Sequence, residues 1–285
     1  MQTVRAISEA RALRSTARRA GRRVAFVPTM GYLHEGHLAL VRRAHELGDA
    51  VWVSIFVNPT QFGPNEDFER YPRDLERDAA LLEAEGVEVL FAPTVEEMYP
   101  REPVVEIAFS GLDRVLCGAS RPGHFAGVGL VVAKLFNIVE PDVAVFGQKD
   151  AQQALLIRRL AGDLSFPVKI EVAPTVREPD GLAMSSRNTY LSPAERAAAP
   201  VLYRALSAAS EAIGRGERDP EAVEELLRRT IEAEPLADLE YAVCVDAENL
   251  RRPERIDRPV LLALAVRFGA TRLIDNLPVE PPEEA

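Results

Sequence analysis

Residues Pro28–Val41 read PTMGYLHEGHLALV. The short apolar run Val24–Val27 ends at Pro28, a glycine turn follows, and a helix is predicted from Gly36-His37 to Leu47, with Leu40, Val41, Ala44 and Leu47 on one stripe. Gly31 permits a tight turn, and Gly36 lets a flat base or a phosphate come close to the backbone. A helix start at a strand end offers unsatisfied N–H groups and a partial positive charge, which suits phosphate. His34 and His37 lie three residues apart and can point the same way, so two imidazole donors form an electrophilic clamp there. As a plain core residue His37 would only extend the stripe of Val41 and Ala44, and the complete pattern speaks against that. Zinc lacks a third ligand nearby, so no metal ligands are assigned.

Outward from this stretch, strands and helices alternate. Strands are expected at Ala50–Val57, Val87–Ala92, Val104–Phe109, Val143–Phe146 and Val168–Ala173. Helices are expected at Asp74–Glu85, with Leu75, Ala79 and Leu82 on the buried side, at Val128–Val139 and at Gln148–Ala161. Near-continuous apolar strands between helices imply an α/β fold, a doubly wound parallel sheet of Rossmann-like type covered on both faces, over residues 1–175. In such sheets ligands bind beyond the carboxyl ends of the strands. From Thr175 the pattern changes. A polar segment, Arg177–Asn188, leads to helices near Pro193–Gly214 and Pro220–Glu234, then to strands at Leu239–Val245, Val260–Arg267 and Thr271–Asn276. Residues 176–285 thus read as a smaller C-terminal α+β lid domain, with PVEPPEEA as a frayed end. The first residues, MQTVRAISEARALRS, show helical alternation and lack the apolar core of a leader.

The net charge is −10, which argues against general nucleic-acid binding. A phosphate site here must be positive locally, against the overall sign. No run of ~18 apolar residues offers a membrane span. Cys117 and Cys244 are the only cysteines, a pattern expected of reduced thiols in the cytoplasm. Lysine is scarce: Lys134, Lys149 and Lys169 stand beside 31 arginines.

Three further segments carry polar chemistry. Asn58 and Gln61 leave a buried strand end as neutral amides, able to read hydroxyls and carboxylates. Lys149 and Asp150 open a helix just past Gly147 and Gln148, with Gln153 one turn on. A lysine there opposes the helix dipole unless an anion joins it. Val176–Ser192 holds Met184, Ser185, Ser186 and Arg187 in a glycine-led loop that can wrap a polyphosphate and act as a mobile lid. There is no Gly-Lys pair for a P-loop, and Val132 stands where a dinucleotide fingerprint beginning at Gly127 needs glycine.

Taken in order, PTMGxLHxGH, NPxQF, RPGHFxGV, GxKDxQQ and DGLAMSSRN resemble the pantothenate synthetase family over nearly the whole chain, most strongly across Pro28–Leu191. The resemblance implies an ATP-dependent ligase that joins pantoate to β-alanine through an adenylate, with ATP and Mg2+ required. It implies an ATP site formed by Pro28, Thr29, Met30, Gly31, Tyr32, Leu33, His34, Glu35, Gly36, His37, Gly147, Gln148, Lys149, Asp150, Val176, Met184, Ser185, Ser186 and Arg187. His37, His34, Lys149 and Arg187 would be catalytic, and Asn58, Gln61 and Gln153 would hold the small substrates. It also implies a homodimer. Tyr32 and Ala151 depart from the family pattern, in place of a small or amide residue and of an aromatic. Two rivals stand beside this reading: a nucleotidyltransferase that keeps the nucleotide on its product, and a sensor that does not turn over.

Overall fold

The structure is a computed structural model that describes residues 1–64 and 66–282. The chain forms two compact units, Met1–Gln148 with Gln152–Pro174, and Lys149–Ala151 with the chain from Thr175 on. In the first unit the elements run β1 Gln2–Val4, α1 Ile7–Arg19, β2 Val24–Thr29, α2 Glu35–His45, β3 Ala50–Ile55, α3 Leu75–Ala84, β4 Val89–Phe91, α4 Val95–Met98, α5 Cys117–Ser120, α6 His124–Val139, β5 Val143–Gly147, α7 Ala151–Asp163 and β6 Lys169–Ala173. The six strands form one parallel sheet in the order β1-β4-β3-β2-β5-β6.

The alternation along β2 shows why the strands read as unbroken apolar runs. Val24 and Phe26 pack on one face with Trp52, Phe91 and the α6 residues Val128 and Val132. Ala25 and Val27 pack on the other face with Val41, Ala44 and Leu82 of α2 and α3. Both faces are dry, so neither parity can be polar. β2 and β5 are neighbours, yet β2 leads on to β3 on one side and β5 to β6 on the other. That is the switch point at which a crevice opens beyond the strand ends. Thr29 and Gly147 close the two strands there.

Several expectations need correction. Val104–Phe109 is not a strand; Val104 is 95% exposed and the segment pairs with nothing in the sheet. Instead Ile107 and Phe109 lie against Gly129, where an added Cβ would come within 2.8 Å of Ile107 Cγ2 and 3.0 Å of Phe109 Cζ. The apolar residues found a helix to cover rather than a strand to join. The first residues include a short strand, β1, before α1. The helix expected from Gln148 begins as a tight 3-10 turn, Gln148–Asp150. The helix predicted from His37 begins earlier, at Glu35. In α3, Leu82 is buried and Leu75 and Ala79 pack against the same core as expected, and the carboxylate Asp78 is buried beside them. The end expected to fray, Pro278–Ala285, is set too early, since Pro278 and Val279 belong to a strand, and its last residues, 283–285, lie outside the described residues.

The second unit contains α8 Pro193–Ala198, α9 Val201–Gly214, α10 Pro220–Glu232, β7 Asp238–Asp246, β8 Val260–Phe268 and β9 Thr271–Val279. β8 is the central strand of an antiparallel sheet in the order β7-β8-β9. Leu202, Leu206, Val223, Leu227 and Ile231 of α9 and α10 close a core with Leu262, Leu264 and Val266. α8 starts at a capping box: Ser192 N donates to Glu195 Oε2 at 2.8 Å and Glu195 N to Ser192 Oγ at 3.4 Å. The expected single helical stretch Pro193–Gly214 is thus two helices, parted at Ala199-Pro200.

One ion pair lies deep in this unit. Arg177 donates to Asp275 Oδ2 at 2.6 Å and to Oδ1 at 3.0 Å, and its guanidinium stacks on Tyr203 at 4.1 Å from the ring centre. Asp275 is 2% exposed. Burial pushes its carboxyl above the usual carboxylate range, although Arg177 pulls the other way. Removing only the cation leaves that carboxyl buried with no ion-pair partner and one amide bond, from Asn276 N at 2.8 Å. Arg177→Met should therefore cost about 3–5 kcal/mol, read as a lower urea midpoint of the full chain. The double variant with Asp275→Asn should recover part of the loss.

Candidate active site

The Pro28–Val41 segment forms its turn at the carboxyl end of β2. Thr29 Oγ1 donates to Ser54 O at 2.8 Å and accepts from Gly31 N at 3.2 Å. Gly31 has φ +84, and a Cβ there would sit 2.8 Å from Ile55 Cγ2. Tyr32 follows at φ +50, a left-handed conformation that costs a non-glycine residue energy. Asp78, 1% exposed, supports it: Oδ2 accepts from Tyr32 N at 2.6 Å and Oδ1 from Leu33 N at 2.8 Å. Burial raises the Asp78 carboxyl above its ordinary range, and the two amides only partly offset this. Arg77 adds a bond to Leu33 O at 2.9 Å and lies over the Tyr32 ring at 5.2 Å. The unexpected aromatic at position 32 thus has a partner.

The turn delivers both histidines to the start of α2. Gly36 N donates to His34 Nδ1 at 3.1 Å, and His34 N donates to His37 Nδ1 at 3.3 Å. An amide N–H can only donate, so each Nδ1 must accept, and each neutral ring carries its proton on Nε2. The rings lie 4.1 Å apart, tilted by 43°. The structure thus brings His34 and His37 together as two Nε2–H donors, the form an electrophilic clamp requires.

Beside it stands the amide pair. Asn58, 1% exposed, donates through Nδ2 to Gln61 Oε1 at 3.0 Å and to Gly127 O at 3.1 Å. Its Oδ1 accepts from Thr60 Oγ1 at 3.0 Å and from Tyr99 OH at 2.9 Å. Asn58 is thus held on both sides of its amide, and one of its bonds orients Gln61. The Gln61 amide nitrogen faces Met30 Sδ at 3.1 Å. A thioether is a weak acceptor, so this donor would gain from an oxygen ligand. Gly127 is required: a Cβ there would meet Thr60 O at 2.3 Å. In the next motif Gln152 is structural, accepting from Cys117 N at 3.0 Å and donating to Leu112 O and Val115 O, both at 2.8 Å. Gln153 is only half-buried on α7.

Sequence reasoning missed three supporting side chains in this unit besides Asp78. Arg121 donates to Glu66 through Nε and NH2, both at 2.6 Å, and His124 lies against Gln61 O. For Arg121 and His124 the signal was in the RPGH motif, which gave no role to either.

In the second unit, Lys149 is half-buried, and its backbone O accepts from Asn276 Nδ2 at 2.8 Å. Its ammonium makes no hydrogen bond or ion pair among the described residues, while its charge reaches Asp275. Val176 and Met184 belong to a small hairpin: Met184 N donates to Val176 O at 3.0 Å and Glu178 N to Leu182 O at 2.8 Å. Gly181, at φ +93, turns it beneath Tyr203, where a Cβ would clash at 2.3 Å. Ser185 Oγ accepts from Arg187 N at 3.3 Å and caps the 3-10 turn Ser186–Tyr190. The expected loop is therefore a built turn.

Two outcomes check this geometry. Gly31→Ala should lose on the order of 2–4 kcal/mol of stability, from left-handed strain plus overpacking against Ile55, in a urea titration. Glu66 supplies a pH test. Burial pushes its carboxyl up, but the bonds and charge of Arg121 outweigh this and hold it below the usual range. The folded state thus releases this proton more readily than the unfolded chain, where a glutamate titrates near ~4.3. The contribution is present above that value and is lost as pH falls through the lower folded one. The stability gap between the native chain and Glu66→Gln should close over that acid window.

The comparisons agree with one another. The family model described as Pantoate-beta-alanine ligase matches residues 2–278. A pantothenate synthetase from Pelotomaculum thermopropionicum is 58% identical, over 95% of this chain and 96% of the relative. The crystal structure of pantothenate synthetase from Thermus thermophilus superposes with a TM-score of 0.93 at 49% identity, covering 99% of this chain and 100% of the other. A pantoate-beta-alanine ligase from Francisella tularensis, complexed with beta-gamma ATP and beta-alanine, gives a TM-score of 0.80 at 35% identity, covering 97% of each chain. With its sheet, its histidine turn and its amide pair in place, the chain is an enzyme of the pantoate–β-alanine ligase family.

Proposed function

We propose that this enzyme joins pantoate to β-alanine in two steps, with pantoyl adenylate between them. In the first step a pantoate carboxylate oxygen attacks the α-phosphorus of ATP. The bond from that phosphorus to the bridging oxygen breaks, and pyrophosphate leaves. In the second the amine of β-alanine attacks the acyl carbon, the carbon–oxygen bond to the phosphate breaks, AMP leaves, and the amine gives up a proton. The observation that carries the reading is the pair of Nε2–H imidazoles held at the start of α2, at the sheet's switch point. Such donors stabilise charge building on phosphate oxygens. The ligands of the Francisella relative, an ATP species and β-alanine, support the substrate assignment.

In this proposal His34, His37, Lys149 and Arg187 neutralise phosphate charge. Pro28–Glu35 with Gly36, Gly147–Asp150, Val176 and Met184–Ser186 complete the ATP contacts. Gln61, through its under-used amide donor, and Gln153 hold pantoate, with Gln61 also meeting β-alanine and Asn58 fixing Gln61. Magnesium would arrive with the phosphates of ATP. Among the described residues no group of three or more His, Cys, Asp or Glu could cage a metal, so no step is assigned to a protein-held ion. We place the enzyme in the cytoplasm as a homodimer, on the family resemblance.

With ATP, pantoate and β-alanine, equal amounts of pantothenate, AMP and pyrophosphate should form, measured by chromatography and phosphorus NMR. With ATP and pantoate alone, labelled pyrophosphate should exchange into ATP. ADP with phosphate, or a product that keeps AMP, would overturn the reading. Lys149→Ala should retain its melting curve and lose ~10²–10³ in that exchange, the scale for one preorganised donor. A wild-type exchange rate would remove Lys149 from the mechanism.

A further inference from the structure

We infer that His124 and Arg121 are positioning residues that fix the backbone of Gln61, and with it the pantoate-holding amide, through a histidine locked in one tautomer. The inference rests on the assignment of Gln61 to pantoate.

His124 Nδ1 lies 2.8 Å from Gln61 O. A carbonyl only accepts, so Nδ1 carries a proton. His124 Nε2 lies 3.0 Å from Arg121 NH1. A guanidinium only donates, so Nε2 must present its lone pair. Only the neutral Nδ1–H ring satisfies both contacts. The other tautomer fails at both ends, and an imidazolium would set an N–H against a guanidinium N–H. Arg121 cannot easily move away, because Glu66 grips it through Nε and NH2, both at 2.6 Å, while the same NH2 reaches Gln61 O at 3.5 Å. The ring is also braced edge-on by Phe125 at 4.8 Å.

The relay therefore runs from Glu66 to Arg121 to His124 to the Gln61 carbonyl. It acts on the main chain, whereas Asn58 acts on the Gln61 side chain. The 3-10 turn Pro59–Gln61 also meets the α6 backbone at Gly127. A displacement of about 1 Å of a positioning group can cost roughly 10²-fold in rate, so a loosened turn should show in pantoate use before it shows in folding. His34 and His37 hold the opposite tautomer, so the three rings are distinguishable in one experiment.

That experiment is nitrogen NMR of the full chain with labelled histidine, with His124 assigned by its absence in His124→Asn. A protonated Nδ1 with a bare Nε2 at neutral pH is expected; a protonated Nε2 overturns the inference. In steady-state kinetics, His124→Leu should raise KM for pantoate by roughly 10-fold and leave KM for ATP nearly unchanged. His124→Asn, which retains a donor near the Nδ1 position, should recover part. In a Gln61→Ala background the His124→Leu effect should vanish, since coupled residues are not additive. Additive losses, or equal rises in both KM values, overturn the positioning role. A native chain that does not use pantoate would sink the substrate assignment instead, and the tautomer measurement, made without substrate, would tell the two failures apart.

Discussion

The carboxylate of Asp78 on two consecutive amides is the contact on which the chemistry of this chain depends. Tyr32 N and Leu33 N sit in a turn that takes a left-handed residue where no glycine is present. Left unsatisfied, two amides at the edge of a dry core would cost about 1–3 kcal/mol each, and the turn would have reason to open. Asp78 closes it from α3, a separate element, and so converts helix–sheet packing into the direction of the following residues. The histidines then have no choice of placement: one caps α2 and the other reaches back to the cap.

The backbone also decides the protonation pattern. At the α2 start, amides occupy both Nδ1 atoms and leave the protons on Nε2. At the α6 start, a carbonyl occupies Nδ1 of His124 and leaves the lone pair on Nε2, where an arginine uses it. One residue type thus presents an Nε2–H donor in one place and an Nε2 acceptor in another. In the proposed reaction, this would supply donors to an anion in a chain of net charge −10 without relying on scattered surface cations, which solvent screens.

Much of this was legible in the sequence. The parallel sheet followed from unbroken apolar strands, and His34 and His37 from their spacing after a strand and a glycine turn. Asn58 and Gln61 stood out as amides at a strand end. Asp78 was not legible, because a carboxylate among Glu76, Arg77 and Asp78 reads as part of a solvated face; nothing local says that it turns inward to two amides 45 and 46 residues away. Glu66 was hidden for the same reason, and the RPGH motif showed Arg121 and His124 side by side without showing that Glu66 and Gln61, 55 and 63 residues away, are what they hold. Val104–Phe109 misled because alternation and β-branching describe a half-buried extended segment equally well with or without a neighbouring strand.

The bond from Asn276 to the Lys149 carbonyl spans 127 residues. Lys149–Ala151 groups with the unit that follows Pro174, although the chain on either side of it belongs to the other. On a ribosome, at ~5–20 residues per second, Lys149 would wait roughly 6–25 s for Asn276 to be made. The sheet of the first unit can close during that interval, but the lysine's main-chain clasp cannot. A nascent chain that folds early would therefore hold its paired histidines well before the Lys149 main chain is fixed, which waits until synthesis has passed into β9.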